Sequence, residues 1–270
     1  MLIMAETPMR FFHSWSGGKD STASVILDHI HGLPPSTIVF SEVMFDKKRG
    51  ISGELPEHID FVMNKAKPLF ESWGYTVEIL HAEKDYLDLF YHVLERSKYP
   101  ERIGKRGGFV QGGMCAANRD LKIKPIYDFY KRLDIAGSEY MQYIGIAIDE
   151  PERLKRLRGT NKVSLLERYS VTEAAAFDLC KQYDLLSPTY DFSKRGGCWF
   201  CPNQGYGELA RLKTQHPELW EELRTLSKAE NLISDCFKYS QTFEEVEKRV
   251  DDEIRGRAYA AQQQSLFDFI

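Results

Sequence analysis

The sequence predicts an α/β fold, a mostly parallel sheet with helices on both faces, completed by a small C-terminal helical unit. Three observations carry that reading. Apolar runs rich in β-branched and aromatic residues alternate with segments of helical periodicity between residues 9 and 148, the rhythm of strand–helix–strand units. The first run ends in a double glycine that leads straight into helical sequence, as at the ligand edge of an open parallel sheet. Residues 207–261 are highly charged and almost wholly helical in pattern, so the expected domains are 1–206 and 207–270.

In chain order, residues 9–12 read as the first strand. Residues 23–31 read as the first helix, with Ala23, Val25, Ile26, Leu27 and Ile30 on its buried side. Leu33-Pro34-Pro35-Ser36 breaks the pattern, and the β-branched and aromatic run 37–45 is a second strand. A charged loop, 46–55, follows at that strand's C-terminal end. Residues 56–73 are helical and Gly74 stops them; 76–81 make a third strand and 86–95 another helix. Residues 98–113 are glycine-rich and basic, with Lys105 and Arg106. Composition there fits a loop that wraps a ligand and a disordered surface loop equally well. A helix resumes over 115–133, and 140–148 is a strongly apolar fourth strand. Thr172 is placed to N-cap a helix over 171–183. No internal repeat is visible.

The chain of 270 residues has 43% hydrophobic and 28% charged residues, ordinary for a globular protein. A net charge of −4 leaves no global basic footprint, so any nucleic-acid contact requires a local patch. No apolar run approaches the roughly 18 residues of a membrane span, and no signal-peptide pattern opens the chain. The expected compartment is the cytoplasm, where the five cysteines read as metal, redox or catalytic groups rather than disulfides.

The organising stretch is His13-Ser14-Trp15-Ser16-Gly17-Gly18-Lys19-Asp20-Ser21-Thr22. Amides left unpaired at a helix N-terminus point outward and carry partial positive charge, which suits an anion. Gly17 and Gly18 permit close approach, Ser16, Ser21 and Thr22 offer hydroxyls, and Lys19 adds a point charge for a phosphate. The spacing is neither a Walker A loop nor Gly-x-Gly-x-x-Gly. Ser16-Gly17-Gly18-Lys19-Asp20-Ser21 instead resembles the pyrophosphate loop of the N-type (PP-loop) ATP pyrophosphatases. That group includes adenylating ligases, thiolation enzymes and the phosphoadenosine phosphosulfate reductases.

The resemblance covers roughly residues 9–206. It implies a Rossmann-like, adenine nucleotide alpha hydrolase-like fold that binds ATP, or an adenylyl-sulfate-type nucleotide, with Mg²⁺. It gives the phosphates to Ser16, Gly17, Gly18, Lys19, Asp20, Ser21 and Thr22, and the adenine border to Phe40 and Glu42. Asp20 orients the loop, binds Mg²⁺ or only caps the helix. Leu121-Lys122-Ile123-Lys124-Pro125, after Cys115, is similar to the family's Cys…Lys-x-x-Pro segment, which makes Arg119, Lys122 and Lys124 candidate anion contacts. A solvated helix face is the alternative there. Gly145-Ile146-Ala147 through Arg153 is similar to a strand-end motif in which the family often has arginine at the position of Ala147; it nominates Gly145 and Arg153.

Cys198 and Cys201 form a Cys-x-x-Cys turn that brings two sulfurs to one side, fit for a metal or a redox pair. Cys115 lies 83 residues before Cys198. This spacing resembles that of adenylyl-sulfate reductases, whose Cys-Cys and Cys-x-x-Cys pairs hold a [4Fe-4S] cluster. Here Met114 stands at the first position of the leading pair. Three cysteines so arranged also resemble the PP-loop tRNA thiolation enzymes, whose cluster keeps one iron free to carry sulfur. Soft thiolates select iron–sulfur clusters or zinc; both stay open beside a site with no metal, with Cys236 open as a fourth ligand. Cys180, among apolar helix neighbours, reads as a buried thiol. The nucleophilic Glu-Cys-Gly-Leu-His motif of true phosphoadenosine phosphosulfate reductases is absent from 207–270, whose one cysteine is Cys236. Gln264-Ser265-Leu266-Phe267 resembles the short peptide by which bacterial proteins bind the replication sliding clamp; docking onto its own domain is the alternative.

The leading expectation is an ATP-dependent adenylating and sulfur-transferring enzyme. Its catalytic candidates are Lys19, Asp20, Cys115, Arg119 and Lys122, and it needs a sulfur donor and an acceptor, with nucleic acid among the candidate acceptors. One alternative is a thiol-dependent reductase of an adenylyl-sulfate-type substrate. Another is a nucleotide-binding module without turnover that docks a partner. The oligomeric state is open.

Overall fold

The computed structural model describes residues 9–110, 115–134, 137, 139–193 and 196–267, with side chains up to 258. The tail motif at 264–267 therefore lies outside the described side chains. The chain divides into two compact units built from interleaved segments. The first comprises 1–44, 54–83 and 120–196, and the second 45–53, 84–119 and 197–270. The sequence had suggested one cut after residue 206.

In the first unit, β1 (Arg10–Trp15), β2 (Ser36–Glu42), β3 (Thr76–His81), β4 (Tyr140–Ile144) and β5 (Lys162–Val163) form one sheet in the order β3-β2-β1-β4-β5. Every pairing is parallel. Helix α1 (Lys19–His31), α2 (56–72), α3 (117–132) and α4 (Glu173–Gln182) connect and flank these strands. Successive strand residues point to opposite faces, and the packing follows that rule. Phe11, Trp15, Ile38, Phe40 and Val77 pack with Val25, Ile26, Val62, Phe70 and Ala176. Phe12, Val39 and Leu80 pack on the other face with Phe129 and Tyr130 of α3. The fold is a Rossmann-like α/β sheet with helices on both faces, as the sequence predicts.

Two helices contain a wide π-type turn, and both turns precede a proline. Pro68 and Pro125 have no N–H, so the carbonyls of Asn64 and Leu121 lose their intrahelical donors. The helix widens over 61–66 and 117–123 to absorb the mismatch. Ser41 Oγ donates to the Leu121 carbonyl at 3.3 Å.

The second unit is held by aromatic contacts among its segments. Phe45 packs on Trp199, Tyr86 stacks on Phe200 at 3.8 Å, and Phe109 meets both Phe90 and Phe237. Its C-terminal part contains α5 (Tyr206–Gln215), α6 (Pro217–Ser227), the strands β6 (Cys236–Lys238) and β7 (Gln241–Thr242), and α7 (Phe243–Phe267). The β6–β7 hairpin interrupts what the sequence suggested was continuous helix. The expected helix 86–95 stops at Phe90. Residues 91–108 instead form a hydrogen-bonded excursion, in which Gly107 donates to His92 and Gly108 to Phe90. No helix among the described residues is long and apolar enough to cross a membrane.

Candidate functional site

The strand order reverses between β1 and β4, and a crevice opens at the carboxyl ends of strands flanking such a switch. The Ser16–Gly18 loop sits at this point. Gly17 adopts φ +71°, and a Cβ there would fall 2.6 Å from the His58 ring. Gly145, just after β4, passes so close to α1 that a Cβ would lie 2.4 Å from the Ser21 nitrogen. Both glycines are therefore required by backbone geometry. Gly145 acts by letting β4's end meet the helix N-terminus.

Hydroxyl and imidazole groups lock the loop from below. The Ser21 hydroxyl donates to the Gly18 carbonyl at 2.9 Å and accepts from the Ser16 amide at 3.2 Å. His58 is buried, and burial holds its pKa below the ordinary histidine value. The neutral ring donates from Nε2 to the Ser16 carbonyl (3.1 Å) and accepts at Nδ1 from Ser187 Oγ (2.8 Å). Tyr190 Oη accepts the Lys19 amide at 2.9 Å. Sequence reasoning missed His58 altogether. Ser187 and Tyr190 lie in the segment Leu185-Leu186-Ser187-Pro188-Thr189-Tyr190.

Two expected ligand-facing residues turn inward. Thr22 is fully buried and its hydroxyl accepts from Trp15 Nε1 at 2.9 Å, so it stitches β1 to α1 and presents nothing to a phosphate. Phe40 is likewise fully buried against Trp15 and cannot border a base. Glu42, at the end of β2, pairs with His81 at 2.8 Å. Lys122 forms an ion pair with the buried Glu54 (3.0 Å). Burial raises that carboxyl's pKa, but the Lys122 ammonium outweighs it and holds the group ionised. Lys124 pairs with Asp128 on an exposed helix face, the solvated arrangement. Ala147, where the family often has arginine, is fully buried, and its amide donates to Glu150.

Above the loop, Lys19 Nζ lies 2.8 Å from Asp20 and 3.2 Å from Glu173. Burial works against its charge, yet the two carboxylates keep its pKa above the usual lysine value. Oxygens of Asp20, Glu150 and Glu173 lie within 4.8 Å of one another, forming the one such acidic, thiol or imidazole group among the described residues. Burial and the neighbouring Glu173 and Glu150 carboxylates push Asp20 above the ordinary carboxylate range despite Lys19. Arg153 pairs with Glu150 at the rim of this cluster.

The second unit holds Cys115, Arg119, Cys198, Cys201 and Cys236. The Cys201 amide donates to the Cys198 carbonyl at 3.0 Å, closing the expected turn, and Arg119 donates its amide to the Cys115 carbonyl. Cys115, Cys198 and Cys201 all act electrostatically on the Tyr86 hydroxyl, which is buried and has no hydrogen-bond partner. The three sulfurs do not all lie within 4.8 Å of one another. Cys180 is a buried thiol in the first unit, pushed up to about 12 by burial.

No family model and no curated protein matches the sequence. Among solved structures, the chain is similar to phosphoadenylyl-sulfate (PAPS) reductase from Candida auris in its phosphate complex. Identity is 12% and the TM-score 0.42, over 73% of this chain and 83% of that one. At such a distance the likeness carries no chemistry. The fold assignment stands on the parallel pairing and the β3-β2-β1-β4-β5 order of this sheet.

Proposed function

We propose that the first unit binds an adenine nucleotide and that the chain is an ATP-dependent adenylating and sulfur-transferring enzyme. One observation carries the reading: a glycine loop at the sheet's switch point opens into a helix N-terminus, with an ammonium and three carboxylates beside it. The amides and the Ser16 hydroxyl are suited to the β,γ-phosphates. Lys19 neutralises charge that develops on them. An acceptor oxygen then attacks the α-phosphorus, pyrophosphate leaves, and a sulfur nucleophile afterwards displaces AMP.

The Asp20, Glu150 and Glu173 oxygens fit Mg²⁺, a hard cation that takes carboxylate ligands. Bound there, it would supply charge neutralisation for the leaving pyrophosphate. The Cys115, Cys198 and Cys201 set offers soft thiolates, which suit an iron–sulfur cluster or zinc. The Tyr86 hydroxyl interacts electrostatically with all three, and hydrogen bonds to sulfur tune iron–sulfur clusters. A cluster would supply a site for carried sulfur.

The test is anaerobic purification followed by assay of ATP conversion to AMP and pyrophosphate, with iron, labile sulfide and zinc analysis. Lys19→Ala is expected to lower turnover on the order of a hundredfold, as loss of a transition-state charge partner does. A second reading, thiol-dependent reduction of an adenylyl-sulfate-type nucleotide, is favoured by Cys236 at the wall of a cavity in the second unit. Release of sulfite with no ATP turnover would select it. A nucleotide-binding module would bind ATP through Lys19 and turn over neither substrate.

A further inference from the structure

The second unit contains a cavity of about 680 Å³ that the nucleotide reading does not use. Its wall includes Tyr86, Arg102, Phe109, Ser234, Cys236 and Tyr239. Pockets of roughly this volume enclose a ligand the size of one nucleotide. One feature marks it as built for something. Tyr239 is 82% exposed at this cavity, a large ring left standing in water.

The segment leading into the cavity is unlike the rest of the chain. Residues 91–106 carry five cations (Arg96, Lys98, Arg102, Lys105, Arg106) against two carboxylates (Glu95, Glu101), in a protein of net charge −4. The segment is ordered: Leu94 donates to Lys105, Gly104 to Leu94, and Arg106 to Asn231. Tyr91 and Tyr99 are exposed among these cations, with the Arg102 guanidinium 4.4 Å from the Tyr99 ring centre. Arg106 lies 5.6 Å from the ring centre of Tyr91. Exposed rings interleaved with cations form the kind of surface that grips single-stranded nucleic acid: backbone charge meets the cations and unstacked bases meet the rings. A duplex keeps its bases stacked and offers the rings nothing.

We propose that the second unit binds single-stranded nucleic acid along residues 91–106, with one base seated at the cavity and stacked on Tyr239. This inference is independent of nucleotide binding by the first unit. It also gives the local basic patch that an acidic chain requires for such a partner.

Fluorescence anisotropy of the full chain with labelled single strands of about 12 nucleotides, DNA and RNA in separate arms, tests it. The single strand is expected to bind with an affinity that falls with salt, and a duplex of the same sequence to compete poorly. Tyr239→Ala should weaken binding about tenfold, the loss of one stacked base. Lys19→Ala should bind the oligonucleotide as the wild type does, which separates this surface from the nucleotide site. Absence of binding to both strands at low salt, wild-type affinity in Tyr239→Ala, or equal affinity for the duplex would each overturn the proposal.

Discussion

At the scale of single residues, the loop separates atoms that face a ligand from atoms that hold the backbone. Thr22→Val should leave nucleotide affinity unchanged while costing about 1–3 kcal/mol of stability, because the Trp15 N–H is left buried and unpaired. Chemical denaturation alongside nucleotide titration checks both halves. Gly17→Ala should do the reverse damage: positive φ and the nearby His58 ring force the loop open, and nucleotide affinity should fall at least tenfold. His13 and His58 are both buried with pKa values held below 6.5. The unfolded chain therefore binds more protons than the native state below that pH. Stability should be fully present above about pH 6.5 and decline as acid is added, as a pH series of melting temperatures would show. Glycines and hydroxyls of the loop were legible in the sequence because a motif depends on residue type and order. Which hydroxyl points outward was not, because Thr22 and Phe40 owe their burial to Trp15, and packing partners leave no local signature.

At the scale of elements, strand and helix positions in the first unit follow periodicity closely, and the misses have physical causes. The fourth strand ends at Ile144, short of its apolar run, because Gly145 must leave the sheet to meet the Ser21 amide. Pattern alone could not show that contact. The helix expected over 86–95 stops at Phe90 because hydrogen bonds from Gly107 and Gly108 take over the chain that follows. Thr172 caps α4 as its type predicts, accepting from the Ala175 amide at 3.2 Å. Thr172→Ala should cost about 1 kcal/mol. Ser41→Ala should cost a comparable 1–3 kcal/mol by removing the hydroxyl donor to the Leu121 carbonyl. Thermal denaturation reads both, and Pro125→Ala combined with Ser41→Ala should recover part of the loss by restoring an intrahelical donor.

At the scale of the whole molecule, the interleaving of units was not readable from the sequence. Residues 45–53 and 84–119 belong with 197–270 through contacts such as Phe45–Trp199 and Phe109–Phe237, whose partners are far apart in the chain. A fragment ending at residue 206 therefore strands the aromatic residues of the second unit. It is expected to lose cooperative unfolding by calorimetry, and Phe237→Ala in the full chain should cost about 3–5 kcal/mol. Retention of a sharp transition by the fragment would refute this account of the division.

Lys19 has one more consequence. Its ammonium has two anionic neighbours, Asp20 and Glu173, so a phosphate arriving alone would pull it away and leave carboxylates confronting one another. A divalent cation entering with the anion takes over those oxygens and removes the conflict. The two ligands should therefore be cooperative, each tightening the other by the same factor. Calorimetric titration of ATP with and without Mg²⁺ reads that factor, and Glu173→Gln should shrink it.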